Sequence, residues 1–243
     1  MKRLAFLLGL LLTFSNLVAQ KKVTENSKAS GINEVYVHVK FAEKIVVKNW
    51  DKNEVAVEAT VNLNDNKDND FFSLKADKIG GTYTVKSDYG KFFKRHKNSV
   101  TITHNGSDCN SYNNCSNHNE IEVNYVIYVP ENMELKVKSI SGTVDALSYN
   151  GKLTLDLISG NITVKKHSNT MYLKTISGDI DVVVSDAEFK AETVTGTVYS
   201  DLDIDFSKNK KRSYGSKVFG TVKKGTANLK LKTVSGDIFL RKI

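Results

Sequence analysis

The sequence predicts an all-β protein whose C-terminal half is a stack of repeats of about 18 residues per coil, a β-solenoid or β-helix-like fold. Three observations carry this. A glycine recurs at positions 142, 160, 178 and 196, each time inside the same phrase: Ile140-Ser-Gly-Thr-Val144, Ile158-Ser-Gly-Asn-Ile162, Ile176-Ser-Gly-Asp-Ile180 and Val194-Thr-Gly-Thr-Val198. β-Branched and aromatic residues alternate with polar ones along most of the chain. Proline is nearly absent, Pro130 being the single one. A fixed period of this kind marks structural units that bury their apolar faces against neighbouring copies.

The first element is a leader. Met1-Lys2-Arg3 precedes an apolar run from Leu4 to Leu12, and small or polar residues lead to Ala19-Gln20. Basic start, short apolar core and small residue near the end describe a secretory signal peptide over 1–20, cleaved after Ala19 or Gln20. The run is short for a spanning helix, an uncleaved anchor being the alternative. Without Lys2 and Arg3 the chain keeps 33 basic residues against 27 acidic ones, a net of +6. That excess favours anionic partners without naming one. No later segment is apolar enough to cross a membrane as a helix, so the expected location is the periplasm, the outer cell surface or the medium.

Residues 21–129 read as a β-rich N-terminal part. Val35, Val37, Val39 and Phe41 alternate with polar residues, as do Val55, Val57, Ala59 and Val61, and later Ile121, Val123, Tyr125, Ile127 and Val129. Period-two alternation is the half-buried strand signal. Two polar stretches interrupt it, 62–69 and 104–119. The second holds Cys109 and Cys115, which in an exported protein most simply form a local disulfide. A metal site with His104, Asp108 and His118 is the alternative, although the spacing fits no common zinc pattern; free thiols are the third. No cofactor or metal is expected.

Residues 130–243 carry the repeat, either as a separate unit or continuous with the N-terminal part. Seven residues before the glycines stand Leu135, Leu153, Met171, Phe189 and Leu229, and five before stand Val137, Leu155, Leu173, Ala191 and Leu231. Two before stand Ile140, Ile158, Ile176, Val194, Val218 and Val234, and two after stand Val144, Ile162, Ile180, Val198, Val222 and Ile238. All four rows are expected to form one buried ladder. The odd step from five before to two before demands a corner or bulge. Looser copies around Gly220 and Gly236 complete six coils, a rod of about 29 Å at strand spacing. A β-sandwich of antiparallel hairpins is the competing reading.

Trp50-Asp51, the run Asn53-Glu-Val-Ala-Val-Glu58, the Val129-Pro130 entry and the repeated Ser-Gly-(Asp/Asn/Thr)-(Ile/Val) phrase resemble the bacterial putative-adhesin family, exported repeat proteins containing a domain of unknown function. The resemblance spans nearly all of the mature chain and is strongest from Val129 onward. It implies a β-solenoid and a role in surface adhesion, and it brings no catalytic residues. The copy near Gly220 and the cysteine loop depart from the family pattern.

Two basic clusters are the candidate binding residues for an anionic polymer. Lys91, Phe92, Phe93, Lys94, Arg95 and Lys97 mix charge with aromatic rings, and Lys208, Lys210, Lys211 and Arg212 fall in a six-residue lengthening of the repeat. Lys and Arg contact carboxylate, sulfate or phosphate, and rings stack on sugars or bases. An anionic polysaccharide or another cell-surface component is the expected partner, and no nucleic-acid-binding motif accompanies the charge. Asp145 and Asp181 occupy equivalent positions two coils apart, near 10 Å by strand spacing, a separation that inverting glycosidases use. Asp beside Gly equally suits a turn that hydrogen-bonds backbone. The expected function is therefore a non-catalytic adhesin or polymer-binding protein of the cell envelope. The alternatives are a polysaccharide-active enzyme on the same scaffold and a purely structural envelope component.

Overall fold

The computed structural model describes residues 20–95, 119–166, 169–203 and 216–242. The leader up to Ala19, the disulfide expectation for Cys109 and Cys115, and the basic residues Lys97, Lys208, Lys210, Lys211 and Arg212 lie outside the described residues.

The protein is all-β, with two large sheets. In chain order, β1 is Lys21–Lys28, β2 Glu34–Val39, β3 Lys44–Trp50, β4 Glu54–Leu63, β5 Ser73–Ile79 and β6 Thr82–Asp88. One helical turn, α1, covers Phe92–Arg95. Then come β7 Ile121–Pro130, β8 Glu134–Ser139, β9 Thr143–Ser148, β10 Leu153–Leu157, β11 Ile162–Val164 and β12 Met171–Lys174. β13 Ile180–Val183, β14 Ala187–Thr193, β15 Val198–Ser200, β16 Ser216–Val222, β17 Ala227–Lys232 and β18 Ile238–Arg241 complete the set. The first sheet has the order β1-β4-β7-β3-β9-β11-β13-β18-β15, and the second β16-β14-β17-β12-β10-β8-β2-β6-β5.

Each repeat puts one strand in the second sheet, turns at its Ser-Gly corner and puts the next strand in the first sheet. Leu153 lies in parallel register with both Leu135 and Met171, and Ile162 with both Val144 and Ile180. Between the sheets, Leu135, Leu153, Met171, Leu155, Leu173, Ile162 and Ile180 are fully buried. Antiparallel pairing among the described strands is confined to β1–β4–β7 and β5–β6 at one end and β14–β16 at the other. Such strands cover edges that would otherwise expose unpaired backbone groups.

The coils do not follow chain order. Leu229 of β17 pairs with Met171 on one side and Phe189 on the other. Ile238 of β18 likewise sits between Ile180 and Val198. The last repeat is thus inserted between the two that precede it. The Gly220 copy is no coil at all, for Gly220 lies in β16, antiparallel to β14 and opposite Phe189. β16 runs back along the edge of β14, and the following turn is held by Asp186, whose Oδ1 accepts the Lys224 and Thr226 amides, each at 3.1 Å. The N-terminal end shows the same device, with β2 and β3 inserted between β6/β7 and β8/β9.

The expected buried row two before the glycines is overturned. Ile140, Ile158, Ile176, Val194 and Val234 are 37–51% exposed. The inward alternation continues instead to three before, where Ser139, Leu157, Thr175, Thr193 and Thr233 are buried. Thr175, Thr233 and Thr193 donate to the carbonyls of Gly160, Gly178 and Gly236 at 3.0, 3.0 and 2.8 Å. A hydroxyl is tolerated inside because the corner leaves it an acceptor. The next residue then turns outward at the corner. Glycine is required there because coils touch backbone to backbone. A Cβ on Gly178 would overlap the Gly160 carbonyl oxygen and sit 2.6 Å from its carbon.

Candidate polymer-binding surfaces

Of the sequence-predicted cluster on α1, Lys91, Lys94 and Arg95 are exposed. The rings face inward. Phe92 is fully buried, and Phe93 packs 5.5 Å from Tyr89 and 5.6 Å from Phe41, centroid to centroid. Arg95 lies over Phe71 at 5.6 Å. The expectation that Phe92 and Phe93 stack on a ligand is corrected accordingly. With Tyr89, Phe41 and Phe72 they plug one end of the core, because a short helical turn must bury its apolar side to be stable at all.

The paired carboxylates fall where the repeat places them. Asp145 and Asp181 flank Thr163 on the outer face of the first sheet. Each has its own cation. Lys44 Nζ lies 2.7 Å from Asp145, and Arg241 grips Asp181 through Nε and Nη2 at 2.7 and 2.8 Å. The hydrogen-bonded Asp181 carboxylate in turn raises the Arg241 pKa. Held in fork geometry, both Asp181 carboxylate oxygens are engaged by the Arg241 guanidinium.

The Asn and Asp residues directly after the glycines have a different task from the expected local turn. Asn161 Oδ1 accepts the Asp179 amide, Asp179 Oδ1 the Asp237 amide, and Asp237 Oδ1 the Thr197 amide, at 2.8, 2.8 and 2.7 Å. Each side chain clamps the next coil in space, so the ladder follows the swapped order.

On the outer face of the second sheet opposite charges pair at several places, although Glu34 faces Glu134 and Lys75 faces Lys86 in the register. Asp156 accepts Lys174 at 3.0 Å and faces Lys138 at 3.8 Å, while Lys136 pairs with Glu34. Burial first, then Lys138, Lys86 and Lys40, lower the His38 pKa, so this histidine is neutral at neutral pH.

Where the last coil is inserted, the pattern changes. One outward row runs Tyr172, Lys230, Lys190, Phe219 across β12, β17, β14 and β16. The adjacent row runs Lys174, Lys232, Glu192, Lys217. Glu192 accepts Lys217 at 3.0 Å and Lys190 at 3.3 Å. Partial burial pushes the Glu192 pKa up, but these two lysines together hold it below its usual value. Lys230 and Lys232 are exposed, Lys230 opposite Lys190 and Lys232 opposite Glu192 in the register. Sequence reasoning missed these lysines because they are spread over strands far apart in the chain. The signal that could have found them is the outward phase of the same alternation that identifies the core.

Among the described residues, no group of three His, Cys, Asp or Glu side chains is placed to hold a metal ion. No described helix is long and apolar enough to cross a membrane.

A family model, Toastrack DUF4097, matches residues 131–241. No curated protein matches the chain. Among solved structures, the chain is similar to a putative cell adhesion protein from Clostridium sporogenes ATCC 15579, at 14% identity and a TM-score of 0.57, over 92% of this chain and 100% of that one. A putative adhesin from Bacteroides fragilis NCTC 9343 aligns at 11% identity and a TM-score of 0.30, over 92% and 97% of the two chains. The first of these likenesses shows a shared fold.

Proposed function

We propose that this chain, whose residues 131–241 match the Toastrack DUF4097 family model, is an exported, non-catalytic adhesin that binds a polymer at the bacterial cell envelope through a β-solenoid surface. One observation carries the reading. Parallel strands in constant register turn their outward side chains into rows that cross both sheets. A stack built this way offers an extended surface suited to an extended ligand. The solved fold relative described as a cell adhesion protein agrees with it, as does the leader-like start of the sequence. The enzyme alternative loses support, because Asp145 and Asp181 are each neutralised by a cation.

The test is to pass the protein over immobilised bacterial and host polysaccharides at low and moderate salt, recording both retention and released fragments. The reading expects retention that weakens as salt rises, without fragments. Fragment release would replace it with the enzyme, and absence of retention on every polymer would replace it with the structural component.

A further inference from the structure

We propose that a cleft beside the last coils binds a single-chain aliphatic carboxylate, with the chain against Val184, Leu202 and Val222 and the carboxylate on Lys223. The site goes beyond the adhesive reading and does not depend on it.

The cleft follows from the inserted coil. Val182 and Ser200 both lie opposite Leu240 in the first sheet. Two residues further on, the same register sets Lys242 between Val184 and Leu202. Val184 and Leu202 are buried, whereas the Lys242 side chain is 57% exposed. An inward row therefore has an aliphatic residue on either side of a position whose own side chain leaves for water. Beside it lies a cavity of about 460 Å3, lined also by Val222 at the end of β16 and by Lys223. Protein interiors are otherwise close-packed, and a leucine at position 242 would fill such a gap. Small-molecule sites have volumes of roughly 300–1,000 Å3, an apolar floor and a few placed polar groups.

The rim supplies the charge. Lys223 is exposed and has φ +53°, a left-handed conformation uncommon for a residue of this kind. The turn keeps a lysine where glycine would be unstrained, and strain of this sort points to a use for the side chain. No ion pair engages Lys223 among the described residues. Lys242, the second cation, pairs with the largely exposed Asp203, a contact worth little in water. A cation at the mouth of an aliphatic cleft selects an amphiphile. The tail leaves water for the floor, and an anionic head meets the ammonium. A cationic head would be repelled there, and the single narrow floor accommodates one chain rather than two.

Isothermal titration calorimetry of the full-length protein with hexanoate, octanoate and decanoate, each kept monomeric in low-salt buffer, tests the site. Affinity is expected to rise roughly tenfold from each acid to the next, as two methylenes are added to the buried chain. Decyltrimethylammonium, the same chain with the opposite charge, is expected to bind at least about tenfold more weakly than decanoate. Lys223→Gln is expected to weaken decanoate binding about tenfold. Lys242→Leu is expected to close the gap, abolish that binding and raise the melting temperature. Lys86→Gln, at the far end of the second sheet, is expected to change nothing. Absence of decanoate binding by the parent, affinity independent of chain length, or equal binding of the ammonium would overturn the proposal. Undiminished decanoate binding by Lys223→Gln or by Lys242→Leu would overturn the placement of the head or of the chain. Retention on polysaccharides reports the adhesive reading separately.

Discussion

Replacing Gly178 with alanine should be among the most damaging small changes this chain can suffer. Gly178 sits at a corner with φ +149°, a conformation that L side chains rarely adopt. Strain of that kind costs about 1–3 kcal/mol. The new methyl would also overlap the Gly160 carbonyl oxygen and lie 2.6 Å from its carbon and 3.1 Å from Asn161 Oδ1. All three are backbone or backbone-clamped atoms, so no side chain can swing aside freely, and overpacking adds about 1–3 kcal/mol. The total, about 2–6 kcal/mol, corresponds to a melting temperature lowered by roughly 5–20 °C for a chain of this size. Relief by local shifts is restricted, because the Gly178 amide donates to Ser235 in the next coil and the Asp179 amide to Asn161 in the previous one. Thermal unfolding followed by circular dichroism measures the effect. A Gly178→Ala protein melting within about 2 °C of the parent would refute the backbone-to-backbone corner.

Leu173 and Ile176 form a matched pair of tests. Leu173 is fully buried between Leu155 and Leu231, so Leu173→Ala should cost about 2–5 kcal/mol in chemical denaturation. Ile176 is 42% exposed and can leave an introduced charge in water, so Ile176→Asp should cost only about 1–2 kcal/mol and remain folded. The reverse ranking would mean that the corner row is buried after all. Acid should loosen the C-terminal turn. Backbone hydrogen bonds, first from Thr226 and then from Gly225 and Lys224, hold the Asp186 carboxyl below its ordinary 3.8. Its folded pKa is the lower one, so the unfolded chain binds the extra proton, and this stabilisation is present above about pH 4 and lost as pH falls. Asp186→Ala should therefore flatten the acid limb of a stability-against-pH curve, and an unchanged limb would refute the role of that carboxylate.

Much of the fold was legible because alternation reports burial directly. Leu135, Val137, Leu153, Leu155, Met171, Leu173 and Phe189 lie inside as their periodicity demands. The corner row misled because a threonine or serine at the inward position, as at Thr175, looks polar in sequence although the glycine carbonyl satisfies it. Ile176 then appears to continue the apolar set. Coil order was hidden for another reason. The repeats are nearly interchangeable in their core residues, so Leu229 fits against either Met171 or Phe189, and local pattern cannot rank its neighbours. Asp145 and Asp181 were placed correctly on one face, yet Lys44 and Arg241, which neutralise them, come from coils distant in sequence. The basic residues of α1 were visible, whereas the inward turn of Phe92 depends on tertiary packing that no short window contains.

The most direct measurement is a test of coil order by engineered disulfides. Tyr172→Cys/Lys230→Cys and Tyr172→Cys/Lys190→Cys proteins would be oxidised and bond formation read by mass spectrometry. The swapped order predicts a bond in the first pair, whose positions are register neighbours, and none in the second, which β17 separates. A bond in the second pair and none in the first would contradict it.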